Sequence, residues 1–312
     1  MPAVYIGQRL FIKPTYVVSL PEYAGLNFYH SHSFIENQKN LKNREHNGKL
    51  SEKALKGLRN SINWLLAAAE PKPVYHSGSK KWFSFRVNFI TLTLPDTRTV
   101  IDNKILQDKL LNPFLTYCRK YLGLNNYVWK LEFQKNGKLH VHLASDTFIH
   151  WRRLRTQWNM VLRNNGYLID FYNKFGHSDP NSTDVHSVRN IKNLAAYISK
   201  YMSKQDSDLK KVKGRIWGCS QALSQCNSIC LSVCRNDCNE QLTPLHSGKI
   251  KIKHILSEDK ITKLMRSCGE IYFFRMIDWI HNCTGVLKEK FCETILFLQG
   301  TSMTEQQLQY VV

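Results

Sequence analysis

The stretch NYVWKLEFQKNGKLHVHLAS, residues 126–145, decides the fold. Its two halves, NYVWKLEFQ and KLHVHLAS, alternate in polarity and are rich in aromatic and branched residues, which indicates two strands joined by a tight turn. The segment Lys135–Gly137 suits a three-residue loop, because the last position of that loop needs a positive φ and is a glycine. This register pairs Glu132 with His140. A two-residue Asn-Gly turn would instead put these two residues on opposite faces.

The hairpin predicts a group of metal-binding side chains. Residues two apart on a strand share a face, as do directly opposed residues, so Glu132, His140 and His142 project from one side of the sheet. Two imidazoles and a carboxylate can bind a divalent cation, and Mn²⁺ or Mg²⁺ is the expected ion. The alternative is that the histidines merely alternate along a strand, facing solvent or forming hydrogen bonds.

The remaining pattern predicts an α+β domain with a mostly antiparallel sheet and flanking helices. Ser51 is a candidate N-cap for the first helix, and Pro113 is expected to kink or split the second. The predicted elements are helix 50–70, a central strand 82–95, helix 101–122, the hairpin, helix 151–166 ending at Gly166, strand 182–188, helix 190–204 and strand 214–220.

Three regions are expected along the chain. Residues 1–80 form an extension with one helix, and the Pro-Lys-Pro sequence that follows the helix marks a boundary. Residues 81–240 form the sheet domain. Residues 241–312 have no evident motif and are expected to be mainly helical.

The charge of the chain indicates its partner. The 312 residues include 44 Lys and Arg against 24 Asp and Glu, a formal net charge of +20. Nucleic acid is the usual partner of so basic a protein, and a merely basic soluble protein is the alternative. No apolar run is long enough to span a membrane and the N-terminus lacks a signal-peptide core, so a cytoplasmic location is expected.

The nine cysteines are expected to be thiols rather than a disulfide framework. Four of them recur at every fourth position from Cys226 to Cys238. This spacing differs from the usual zinc-binding pair, and a half-buried helical stripe is the favoured interpretation.

The segment YISKYMSK, residues 197–204, contains a second group of reactive side chains. On a helix Tyr197 and Tyr201 lie one turn apart, and each is followed three residues later by a lysine, Lys200 or Lys204. A phenol is a poor nucleophile at neutral pH, and nearby ammonium groups favour its phenolate. The alternative is an ordinary amphipathic helix with Tyr and Lys on its solvent face.

Three segments in order, FITLTLP (89–95), HVH (140–142) and YISKYMSK (197–204), resemble the motifs of the HUH endonuclease superfamily, the rolling-circle replication initiators. The two tyrosines resemble the subgroup that includes microvirus gene A, filamentous-phage gene II-like and plasmid Rep proteins. The resemblance covers roughly residues 85–220. It implies a five-stranded antiparallel sheet of RNA-recognition-motif-like topology.

The resemblance also implies roles for individual residues. His140 and His142 would bind the metal with Glu132 as a third ligand, and Thr91 and Thr93 match the first motif, whose role is mainly structural. The implied catalytic residues are Tyr197 and Tyr201 as nucleophiles, with Lys200 and Lys204 supporting the phosphate.

The implied reaction is nicking of single-stranded origin DNA. A metal polarises the scissile phosphate and one tyrosine attacks, giving a 5′-phosphotyrosine and a 3′-OH primer. The second tyrosine can later transfer the strand. A transposase or relaxase, or a non-catalytic RNA-recognition-like binding protein, is the alternative.

Further contacts to DNA are expected from basic and aromatic residues near the motifs. These are Trp151, Arg152, Arg153, Arg155, Arg189 and Lys192. For the helix 151–158, a tryptophan in the core with arginines in solvent is the competing interpretation. The chain has no GxxxxGK[ST] phosphate loop, so unwinding and synthesis are expected to need a host helicase and DNA polymerase.

Overall fold

A computed structural model of the chain describes residues 4–14, 16–24, 50–76, 78–94, 106–133, 139–187, 215–226, 230–234, 251–254, 270–273 and 285–300. The chain divides into two compact units. One is continuous, Glu45–Ser224, and the other combines Met1–Arg44 with Gln225–Val312.

The continuous unit is built from helices around a five-stranded sheet, with a two-stranded hairpin beside it. Its elements are α1 (Glu52–Ala68), β3 (Lys72–His76), β4 (Lys81–Phe85), β5 (Asn88–Thr93), a π-helical turn (Leu106–Leu111), α2 (Asn112–Leu122), β6 (Tyr127–Phe133), β7 (Leu139–Ser145), α3 (Trp151–Asn164), α4 (Ile169–Phe175), β8 (Thr183–Ser187), β9 (Trp217–Cys219) and α5 (Gln221–Gln225). The strands β1 and β2 belong to the other unit.

The five-stranded sheet has the order β8-β5-β7-β6-β9, and its neighbouring strands are antiparallel. The chain order β5-α2-β6-β7-α3-β8 is therefore a β-α-β-β-α-β arrangement with β9 added at one edge. The predicted α+β fold with a five-stranded antiparallel sheet is confirmed. Right-handed crossovers place α2 and α3 on the same face of this sheet.

Helix α1 lies on the other face. Its Ser51 N-cap accepts a hydrogen bond from the Ala54 amide at 3.2 Å, as predicted. The helix packs against the edge strand β9, where the Ser61 hydroxyl lies 3.6 Å from the Cys219 thiol and Gly57 faces the Trp217 ring. Arg86 ends the helix by donating to two of its last carbonyls, and burial lowers the pKa of this guanidinium.

Helices α2 and α3 bury their apolar sides around Trp158. The Trp158 side chain has no exposed surface, meets the Phe114 ring edge-on at 5.3 Å and donates to the Thr93 carbonyl at 3.1 Å. Pro113 occupies the first turn of α2, directly after the π-helical turn, so the predicted helix changes its helix type beside the proline. Gly166 has φ +79 just after α3, as its predicted end requires.

One predicted strand differs from the structure. The central strand expected at 82–95 is two strands in different sheets, because the chain leaves β4 at Arg86, whose side chain turns to the end of α1. The central strand of the larger sheet is β7.

The second unit contains its own five-stranded antiparallel sheet. Its described elements are β1 (Val4–Lys13), β2 (Tyr16–Ala24), β10 (Cys230–Cys234), β11 (Lys251–His254), β12 (Glu270–Phe273) and α6 (Gly285–Gln299), with sheet order β10-β1-β2-β12-β11. The prediction of a helical cysteine stripe was therefore wrong for Cys230 and Cys234, which lie on strand β10. A spacing of four residues keeps one face on a helix and also on a strand, so the spacing alone did not distinguish them.

The regions 1–80, 81–240 and 241–312 expected from the sequence stay a prediction, and the two units group the chain differently. Helix α1 is part of the unit that contains the β5–β9 sheet, whereas Gln225–Val312 is grouped with Met1–Arg44. Strands β11 and β12 lie in the region for which mainly helices were expected. None of the helices in the described parts of the chain is long and apolar enough to cross a membrane.

Candidate active site

Two rows of polar side chains cross the face of the sheet that α1 partly covers. Directly paired residues point to the same face, and residues two apart on a strand do so too. The first row consists of Thr91, His142 and Lys130. The second row, beside the first, consists of Thr93, His140 and Glu132. The pairing of Glu132 with His140 is the register predicted from the sequence. The loop that joins the two strands lies outside the described residues.

The His142 ring is held on three sides. Its Nε2 atom lies 2.7 Å from Glu132 Oε2, and both side chains are nearly buried. Its Nδ1 atom lies 3.2 Å from the Thr91 hydroxyl, and the Phe89 ring stacks on it at 5.4 Å. An ionised carboxylate only accepts, so Nε2 donates to Glu132; in the neutral ring Nδ1 then accepts from Thr91. These contacts fix both the orientation and the tautomer of the imidazole.

His140 completes the group of ligand-type side chains. It is 5% exposed, and its ring lies 6.2 Å from that of His142, centre to centre. The three side chains therefore lie on one face of the sheet, as the register predicted, and their role as metal ligands stays a prediction.

Lys130 is the site residue that sequence reasoning missed. It pairs directly with His142 and is only 1% exposed, which is rare for a lysine. It lies two residues before Glu132 on the same strand, so the period of two was the signal that could have found it. The two rows together thus place a buried amine on the same face as the carboxylate and the imidazoles.

Helix α1 borders the site on the β9 side. Trp217 pairs with Lys130, and Cys219 pairs with Val128, so both project from the same face as His142. Burial raises the pKa of the Cys219 thiol, with the Ser61 hydrogen bond opposing the rise. On the opposite side of the rows, Asp184 and His186 of β8 are largely exposed and contact each other at 2.7 Å. The polar rows therefore lie between a covered edge and an exposed one.

The donor chemistry of the three residues fits a divalent cation. Two imidazoles and a carboxylate suit Mn²⁺, and neighbouring ligands of an octahedral ion lie about 3 Å apart, close to the Glu132–His142 separation. A proton between Nε2 and Oε2 occupies the position that a cation would take. Within the described ranges, however, no three His, Cys, Asp or Glu side chains converge closely enough to hold a metal. His140 is the ligand that would have to move inward.

The other predicted site residues form two groups, one outside the described residues and one at the start of α3. Those on the predicted tyrosine helix and just before it lie outside the described residues; they are Arg189, Lys192, Tyr197, Lys200, Tyr201 and Lys204. The remaining four, Trp151, Arg152, Arg153 and Arg155, belong to the first turn of α3.

The first turn of α3 presents an aromatic–cation cluster. The Trp151 ring is 42% exposed, with the Arg155 guanidinium 4.6 Å and the Arg152 guanidinium 5.3 Å from its centre. His150 caps the turn by accepting from the Arg152 amide. Trp158, by contrast, is a core residue. The interpretation of a tryptophan in the core therefore describes Trp158, and an exposed tryptophan among arginines describes Trp151. A role of this turn in DNA binding stays a prediction.

A comparison with known families adds an independent observation. Residues 87–206 match the family model of the replication-associated protein ORF2/G2P. The match supports a replication protein of the Rep type. It contains β5 to β8 with both polar rows, and its last part contains the YISKYMSK segment. The chain has no match among curated proteins or solved structures.

Proposed function

We propose that this protein initiates replication by nicking single-stranded origin DNA with a tyrosine, in the manner of HUH endonucleases. The observation that carries the proposal is the row of Glu132, His140 and Thr93 beside the row of His142 and Thr91. The matched replication family supports it, since one segment of the chain contains these rows and the two tyrosines.

The proposed chemistry transfers a phosphoryl ester from DNA to the protein. The Oη atom of Tyr197 or Tyr201 attacks the scissile phosphorus while the bond to the 3′ oxygen breaks. The tyrosine loses its proton, the 3′ oxygen gains one, and the products are a 5′-phosphotyrosine and a 3′-OH primer. The second tyrosine would later attack the regenerated origin in the same way and free a new 3′-OH. That 3′-OH would attack the first phosphotyrosine, which joins the strand ends and releases the first tyrosine as a phenol. Lys200 and Lys204 supply positive charge for the phosphate oxygens.

The proposed cofactor is Mg²⁺ or Mn²⁺, held by Glu132, His140 and His142. When bound, it supplies Lewis-acid polarisation of the phosphate. The chain's own part is to fix His142 through Thr91 and Phe89 and to place the Lys130 amine directly beside His142. Such fixed neighbours are what orient metal ligands in proteins.

The proposed partners follow from the same reaction. The substrate is single-stranded or extruded origin DNA, since the backbone must be reached by a side chain. Unwinding and synthesis are assigned to a host helicase and a DNA polymerase, and the proposed location is the cytoplasm of the host cell.

A covalent-adduct assay tests the proposal. The protein is incubated with end-labelled single-stranded replicon DNA and Mn²⁺ and then resolved on a denaturing gel. We expect an adduct that disappears in EDTA and in the Tyr197→Phe/Tyr201→Phe double variant. Each single variant shows which tyrosine attacks first. The absence of an adduct on either strand of the replicon would overturn the nickase and favour a non-catalytic binding protein.

A further inference from the structure

The β3–β4 hairpin presents an aromatic pair to solvent. Trp82 and Tyr75 are directly opposed across the two strands, and their ring centres lie 5.3 Å apart. Trp82 is 69% exposed and Tyr75 is 49% exposed. The two ring planes are tilted by 56°, so each ring offers its own flat face on which another ring can stack.

The other face of the hairpin is what anchors it. Phe85 is fully buried, and Phe85 and Phe83 meet the Phe148 ring at 5.3 and 6.0 Å. Arg86, just after β4, is bound to the end of α1. The aromatic pair is therefore held on a fixed ribbon instead of on a free loop.

The charge around the pair has one sign. Residues 71–87 contain Lys72, Lys80, Lys81 and Arg86 and no Asp or Glu. Lys72 lies near the Asp146 carboxyl, and Arg86 is used by α1. Lys80 and Lys81 form no ion pair with any described residue. These two positive charges at the turn are available to an anionic partner.

The backbone of the turn holds a lysine in a conformation that lysine rarely adopts. Lys80 has φ +52, the left-handed region that glycine and asparagine prefer. It is the one non-glycine residue with positive φ in the described part of the chain. The rest of the turn is ordered by His76 Nδ1, which contacts the Ser79 hydroxyl at 2.8 Å and accepts from its amide. A residue held in an unfavourable conformation is often kept for function.

We propose that the β3–β4 hairpin binds the single-stranded DNA that flanks the nicked position, with bases stacked on Trp82 and Tyr75 and a phosphate at Lys80 in the turn. An exposed aromatic pair beside uncompensated lysines is the combination that single-strand-binding surfaces use. The hairpin leads into β5 at Asn88, about 10 Å along the strand from Thr91. The proposal rests on the proposed function for the choice of DNA, but not on cleavage.

Binding is measured on the full chain by fluorescence anisotropy, with a fluorescein-labelled oligothymidylate of about 20 nucleotides and EDTA present so that no cleavage occurs. We expect Trp82→Ala to weaken binding about 10-fold or more, and Trp82→Phe to retain most of it. Tyr172→Ala is the matched control, because Tyr172 is similarly exposed but lies on α4, where Lys174 already lies over the Phe175 ring. The affinity of this variant should stay at the wild-type value.

Lys80→Gly separates binding from folding. Glycine suits the positive φ, so the melting temperature should stay or rise. The affinity should nevertheless fall, and the slope of log K against log salt should decrease by about 0.7, the contribution of one phosphate contact on a single strand. Wild-type affinity in Trp82→Ala, or a preference of the hairpin for duplex over single strand, would overturn the proposal.

The two proposals fail in different ways. If Trp82→Ala and Lys80→Gly lose affinity but wild-type protein forms no adduct with Mn²⁺, the hairpin assignment stands and the nickase fails. If adducts form and both variants bind like the wild type, the nickase stands and the hairpin assignment fails.

Discussion

The two faces of the β5–β9 sheet carry opposite chemistry although the same strands build both. On one face Ile90, Leu92, Val141 and Leu143 have no exposed surface, and on the other Thr91 and His142 begin the polar rows. Successive residues of a strand point to opposite faces, so a slip of one residue would exchange the two sets. The apolar face therefore determines the register, and the register determines which side chains meet in the candidate site.

The largest effect on activity is expected on the polar face of the sheet, from Glu132→Gln. Glutamine keeps the size of the side chain and can still accept from His142, but it removes the negative charge proposed to bind the metal. We expect Mn²⁺-dependent adduct formation to fall by at least about 100-fold with little change in melting temperature.

The control for this variant is Asp184→Asn, the same chemical change on the same face at a largely exposed position. Its adduct yield should match the wild type. Equal losses in both variants would show that the Glu132 effect is a general loss of charge.

Trp158→Ala should act on stability instead. It removes a wholly buried ring and the donor to the Thr93 carbonyl, so we expect a loss of about 3–5 kcal/mol in the free energy of unfolding. Trp151→Ala, on the exposed side of the same helix, should change it by about 0.5 kcal/mol or less. Urea unfolding followed by circular dichroism measures both, and comparable losses would contradict the assignment of α3 to the core.

Glycines on the two faces offer a finer comparison. A Cβ on Gly218 would lie 2.8 Å from Trp129 Nε1, on the apolar face where the Trp129 ring is buried. Gly218→Ala should therefore cost about 1–3 kcal/mol.

Gly57→Ala is the matched change on the polar face. Its Cβ would meet the half-buried Trp217 ring at 3.3 Å, and alanine favours the helix, so the net change should be within about 1 kcal/mol. Urea unfolding of both variants tests the difference. A Gly218→Ala protein as stable as the wild type would show that the Trp129 ring can move aside.

The smallest effect concerns a thiol beneath the apolar face. Cys118 on α2 is fully buried, and burial raises its pKa to about 12. Because the thiolate is the reactive form, Cys118 should resist iodoacetamide at pH 8 and react only after unfolding. Peptide mass spectrometry with and without urea checks this, and rapid labelling of Cys118 in the native protein would contradict its burial.

Local patterns predicted what is determined locally. Ser51, Pro113 and Gly166 mark helix ends because capping and backbone preference act within one turn, and the hairpin register followed from loop length. Arg86 was missed as a break because its partners are carbonyls of a helix about 20 residues earlier.

Long-range pairing was outside what local patterns contain. Strand β10 pairs with β1 across more than two hundred residues, and no spacing within either segment indicates that. Lys130 was predictable in part. The period of two indicates which face of the sheet it lies on, but its burial depends on α1 and β9, which pack beside it. The candidate site was thus predictable to the extent that one hairpin builds it.

The most direct test of the central claim is the position of a bound metal. Crystals of the protein soaked in MnCl₂ would be examined for anomalous scattering at a wavelength where manganese contributes. We predict one peak within bonding distance of Glu132, His140 and His142, lost in crystals of Glu132→Gln. A peak elsewhere, or none at saturating Mn²⁺, would contradict the assignment of the polar rows as the metal-dependent nicking site.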